Sequence, residues 1–134
     1  MRTLYITHCS RDKDAELKAS GAAATPDRMY TLPSLQRFVR FCNARGFAWA
    51  IFSDKYGVIF PHETIHWYSK PPAEVTEGEF SELLKNFTDR LAGYDEIWFY
   101  QRAEDTHPLF LRIAELGRQA GLPVKEFLEE NIID

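Results

Sequence analysis

The stretch that most constrains this chain is Ala48-Trp49-Ala50-Ile51-Phe52, an apolar run without alternation that breaks into Ser53-Asp54-Lys55-Tyr56-Gly57 and then turns apolar again through Val58-Ile59-Phe60-Pro61. Such a run suits a strand covered on both faces, as in a parallel sheet with helices on each side. Ser53, Lys55 and Tyr56 then emerge at the strand's carboxyl end, where open α/β sheets place their ligands. Gly57 permits a tight turn or a close ligand approach, and Pro61 cannot donate to a ladder.

The flanking segments fit the same scheme. Arg2 to Ile6 reads as a first strand ending at Thr7-His8-Cys9-Ser10. Arg11 to Arg28 is polar and small, and reads as a mobile excursion over the surface of the kind that serves as a lid. Leu35, Phe38, Val39 and Cys42 recur at helical spacing between Pro33 and Gly46. Pro61 to Pro72 reads as a structured loop, Thr76 and Glu79 form a capping-box pattern, and Phe80, Leu83, Leu84, Phe87 and Leu91 give the following helix one apolar face. Ile97 to Tyr100 is a third strand, Thr106-His107-Pro108 opens a third helix, and Val124 to Leu128 is a last strand before a fraying acidic end. Alternating strands and helices predict one α/β domain over 1–134. Its expected architecture is three-layered and Rossmann-like, with a mostly parallel four-stranded sheet in the order 2-1-3-4.

Composition narrows the function classes. With 134 residues the chain is long enough to bury a core, and a formal charge of −4 argues against a broad duplex-binding surface while leaving room for a local basic pocket. Cys9 and Cys42 are too few for a disulfide framework, and the first residues lack the pattern of a secretory signal. A cytoplasmic location is expected. No apolar stretch approaches the roughly 18 residues of a membrane span, so no membrane partner is expected.

Several residues carry chemistry. Ser53, Lys55 and Tyr56 offer a hydroxyl, an amine and a phenol suited to an anion or a base edge; the alternative is a turn with Ser53 and Asp54 capping the strand, Lys55 in solvent and Tyr56 packed on a helix, and the strand-end position of the break favours the site. Cys9 is either a thiolate nucleophile or a small buried thiol closing its strand. Cys42, on the apolar helix face, belongs to the core. Trp49 and Trp98 read as core, and Trp67 and Tyr68 as pocket members able to stack on a planar ligand. His62-Glu63-Thr64-Ile65-His66 satisfies the H-E-x-x-H pattern, but Tyr68 to Pro72 would stop its helix within about two turns, so a zinc-dependent hydrolase is the weakest alternative and no metal site is expected.

Cys9-Ser10-x-x-Lys13, Met29-Tyr30, Ser53-x-Lys55-Tyr56-Gly57, Pro61 and Tyr68 together resemble a family of small bacterial and phage domains of unknown function. That family is similar to the base-modifying domain of archaeosine synthase and, more remotely, to YaaA-type peroxide stress proteins. The resemblance implies a Rossmann-like fold and a link to nucleobases or nucleic-acid modification. In the archaeosine synthase domain a C-x-x-x-K-P-Y motif carries a lysine that adds to the nitrile of a deazaguanine base; Cys9 and Lys13 match it, whereas Asp14 and Ala15 replace its proline and tyrosine. The expected function is therefore binding of a nucleobase-, nucleoside- or nucleotide-like ligand in a strand-end crevice, with Cys9 and Lys13 as catalytic candidates and Ser10, Ser53, Lys55, Tyr56, Gly57 and Tyr68 as ligand-binding ones. A non-catalytic binding or regulatory module using the same pocket is the alternative. Nucleic acid could engage through that local site, and no cofactor is named by any motif.

Overall fold

The computed structural model describes residues 1–102, 106–128 and 131–132. Its centre is β1 (Thr3–His8), flanked on one side by β2 (Trp49–Ser53) and on the other by β4 (Glu96–Tyr100), both parallel to it. All five residues of β2 are buried, as the apolar run requires. β5 (Val124–Phe127) adds in parallel to β4.

The expected four-stranded sheet is corrected by a fifth strand. β3 (Gly57–Ile59) folds back from the Asp54-Lys55-Tyr56 turn and pairs antiparallel with β2, so the sheet is mixed and ordered β3-β2-β1-β4-β5. The physical cause is the turn itself. Ser53 Oγ accepts the backbone N–H groups of Lys55 and Tyr56, each at 3.0 Å, and Gly57 supplies φ +76° to complete the reversal.

Helices cover both faces. α3 (Pro33–Arg45) starts with Pro33 in its first turn and ends at Gly46 in the left-handed conformation. It places Phe38 against Tyr100 and Phe41 against Tyr5, on the face that Phe127 shares. α4 (Glu77–Arg90), held by the reciprocal Thr76 and Glu79 capping box, and α5 (Pro108–Gln119) lie on the opposite face, where Phe52 meets Phe87 and Phe110 edge-on and Phe99 meets Phe87. Cys42 is fully buried beneath α3 and Trp49 is buried in the core, but Trp98 is only half-buried, with Lys125 Nζ 5.2 Å from its ring centre. The acidic end lies mostly outside the described residues; Ile132 is buried, and its carbonyl accepts from Arg37 at 3.1 Å.

The segment from Arg11 to Arg28 is not a bare excursion. It holds two short helices, α1 (Ala15–Ser20) and α2 (Pro26–Met29), and backbone bridges from Lys13 to Tyr30 and from Ala24 to Ile65. Asp14 caps α1 through the Glu16 N–H, Gly21 closes it, and Leu17, Met29 and Tyr30 are buried anchors. Those apolar anchors, spaced too far apart to give a periodic signal, hold the segment down.

Gly57 generates the first prediction. A Cβ there would stand 2.4 Å from Asn86 Oδ1, the atom that accepts the Val58 N–H at 2.8 Å. Gly57→Ala should lower the unfolding free energy by about 2–3 kcal/mol, from left-handed strain plus the disturbed hydrogen bond, whereas Gly78→Ala, in open space on α4, should not destabilise. Equal urea midpoints for the two variants would contradict this account of the turn.

Candidate functional site

The site grows from the carboxyl ends of β1 and β2. The Cys9 N–H continues the ladder by donating to the Phe52 carbonyl at 2.8 Å, and the Cys9 thiol lies 3.6 Å from Asp54 Oδ1. Ser53 Oγ is saturated as an acceptor by the two turn amides, so its own hydroxyl donates to Tyr68 Oη at 2.9 Å, and the Tyr68 and Tyr30 hydroxyls share a hydrogen bond at 2.6 Å. Burial pushes both phenols well above their ordinary range. This hydroxyl chain joins the end of β2, the loop before α3 and the loop before α4 into one wall.

Beside that wall is a cavity of about 490 Å³, within the range of small-molecule sites. Cys9, Ser10, Lys13 and Tyr68 line it, as the sequence reading expects of the site. Ser53, Lys55, Tyr56 and Gly57 do not. Ser53 is fully buried as the turn cap, Lys55 is exposed with Nζ 5.2 Å from the Tyr56 ring centre, and Gly57 makes room for Asn86 rather than for a ligand. The bland reading of that turn is therefore the one its geometry matches, and the expected crevice is displaced toward the loops.

Charged residues that the sequence reading did not place in the site also line it: Asp54, which is buried, the exposed Arg11 and Lys18, and the half-buried Lys70, beside His107 and Phe110 of the α5 start. Lys18 Nζ stands 4.7 Å from the Trp67 ring centre and Lys70 pairs with Glu79. Asp54 stood in plain view within the strand break, whereas Lys18 and Lys70 carried no local signal because chain folding alone brings them together.

The electrostatics divide the lining. Burial, and then the neighbouring Asp54 carboxylate, push the Cys9 thiol up to about 12, so Cys9 is a protonated thiol at neutral pH and not a ready nucleophile. Of the two readings of Cys9, this burial favours the small thiol closing its strand. Burial also raises the Asp54 carboxyl above its ordinary range and lowers the Lys13 amine. Lys13 Nζ sits 4.3 Å from the Tyr68 ring centre and 5.9 Å from that of Tyr30, and its hydrogen bond to the Arg11 carbonyl is long, at 3.4 Å. Ser10 donates to the Asp12 carbonyl at 3.0 Å, which leaves its lone pairs to face the cavity.

The crevice between β1 and β4, where the chain departs from β1 in both directions, is filled by protein. Arg102 is fully buried there; its guanidinium donates to Thr7 Oγ1 at 2.9 Å, to the His8 carbonyl at 2.5 Å and to the Cys9 carbonyl at 2.9 Å. His8 stacks on Phe110 with ring centres 4.6 Å apart. Burial, reinforced by the Arg102 charge, lowers the His8 imidazole to about 3.

The H-E-x-x-H pattern does not form a metal centre. Residues 62–66 are not helical; Glu63 accepts the Phe60 N–H at 2.8 Å and pairs with Arg90 at 2.8 Å, and His66 lies beside the Gly21 carbonyl at 3.1 Å. Among the described residues no group of three His, Cys, Asp or Glu side chains is placed to hold a metal ion.

His8 makes the fold sensitive to mild acid. Its folded value lies below its unfolded one, so the unfolded chain binds the extra proton between these values and stability falls as pH drops through the window from about 6.5 to about 3. From pH 6 to 5 the unfolding free energy should fall by up to about 1.4 kcal/mol per pH unit, and a His8→Gln variant should lose that slope. A wild-type profile flat from pH 7 to 5 in urea titrations would contradict a buried neutral imidazole. Comparison with models of known families, with characterised proteins and with solved structures finds no match for this chain.

Proposed function

We propose that this domain binds a nucleobase-, nucleoside- or nucleotide-like ligand in the cavity beside Cys9, Lys13 and Tyr68. The observation that carries this reading is the concentration of cations in one aromatic-walled concavity. Arg11, Lys13, Lys18 and Lys70 share it with Trp67 and Tyr68, although the chain as a whole carries a charge of −4. Ammonium and guanidinium groups at the mouth suit a phosphate, and flat rings suit a base. The helices on both sheet faces and the strand-end position of the cavity agree with the Rossmann-like architecture that the resemblance implies.

A role in base modification is the catalytic form of the same proposal. It is favoured by the lowered basicity of Lys13, because a partly buried amine with few hydrogen bonds is a better nucleophile than a solvated ammonium. Cys9 takes no nucleophilic part in this form; it donates its proton toward Asp54. A binding or regulatory module would use the same contacts without turnover.

Calorimetric titration with nucleoside monophosphates tests the reading. Lys13→Met should weaken binding about tenfold or more, the cost of a charge-assisted hydrogen bond of roughly 1.5–3 kcal/mol, whereas Lys55→Ala should bind as the wild type does. The reverse ranking would return the site to the Ser53–Gly57 turn, and absence of binding by every nucleotide would end the proposal.

A further inference from the structure

We propose that Asp54 selects the ligand's base, its carboxylate receiving two adjacent N–H donors from the ring edge at the closed end of the cavity. This rests on the nucleotide reading above and deepens it. Asp54 is 3% exposed and lines the cavity, yet its one hydrogen bond from another side chain is the Cys9 thiol at 3.6 Å. The Lys13 charge and the Tyr68 hydroxyl, which also lies against Ser53 and Tyr30, favour the charged carboxylate as well. Among the described residues no salt bridge reaches Asp54. A carboxylate offers about four lone-pair positions, and leaving those that Cys9 and Tyr68 do not meet without donors in a buried place is costly.

The polarity gradient fixes the ligand's orientation. Asp54 and Cys9, 3% and 6% exposed, form the closed end, while Arg11 and Lys18 are exposed at the mouth. A nucleotide entering with its phosphate outward would meet the cations and present its base edge to the acid. Two carboxylate oxygens match two parallel N–H groups on neighbouring atoms. Among the common bases only a guanine-type ring carries that pair, its ring N–H beside an exocyclic amino group. Adenine and cytosine place an acceptor next to their amino group, and the uracil N–H stands between two carbonyls, so each would set a lone pair against Asp54.

Titration of GMP, IMP and AMP against the wild-type protein, and of GMP and AMP against Asp54→Asn, tests the assignment. Wild type should bind GMP about tenfold or more tightly than AMP, with IMP, which lacks the amino group, between them. Asp54→Asn should bring GMP and AMP close to equal affinity. GMP, IMP and AMP binding alike to the wild type would overturn the Asp54 assignment and leave the nucleotide reading standing, and this arm holds even if the variant does not fold. Loss of all nucleotide binding in the wild type would overturn both.

Discussion

Arg102 holds the carboxyl ends of β1 and β4 together. Its guanidinium reaches across from the end of β4 to Thr7, His8 and Cys9 at the end of β1, and it does so fully buried. A buried charge is tolerated only where its donors are satisfied, and here the satisfaction comes from the carbonyls that must be fixed for Cys9 and Ser10 to form a cavity wall. Burial, reinforced by the same guanidinium, keeps His8 neutral, and the imidazole stacks on Phe110 beneath α5. Filling the switch-point crevice with protein displaces the open space sideways, toward the ends of β1 and β2 and the loop that carries Trp67 to Pro72.

That displaced cavity has two chemical ends because its lining comes from segments of different origin. The deep end comes from strand termini, where Cys9 and Asp54 are buried beside the hydroxyl chain of Ser53, Tyr68 and Tyr30. The mouth comes from the region of α1 and from the loop before α4, where lysines and an arginine keep contact with solvent. The bridge from Ala24 to Ile65 ties those two segments together. Lys13 lies between the ends, half-buried against aromatic faces, and this placement lowers its basicity.

The fold was legible wherever a hydrophobic pattern was continuous. β2 declared itself through its unbroken apolar run, α3 through Pro33, its helical spacing and Gly46, and α4 through the Thr76 and Glu79 pair. β3 was missed because three residues carry no period; what makes them a strand is the Ser53 cap and the packing of Gly57 against Asn86. The site was legible only in part. Cys9, Ser10, Lys13 and Tyr68 line the cavity, but Ser53, Lys55, Tyr56 and Gly57 build or border the turn behind it. Asp54 reads as a cap because an aspartate in a turn ordinarily caps backbone, and only the tertiary structure places it in the cavity wall. Arg102 was overlooked because an arginine beyond a strand ordinarily lies in solvent.

The central claim is the location of the ligand space. A two-dimensional amide NMR titration with a nucleoside monophosphate, after backbone assignment, would test it most directly. The account predicts the largest shifts at Cys9, Ser10, Lys13, Trp67, Tyr68 and Lys70, with little change at Lys55 and Gly57. Shifts confined to the Ser53–Gly57 turn, or scattered over the surface without the Cys9 and Tyr68 amides, would contradict it.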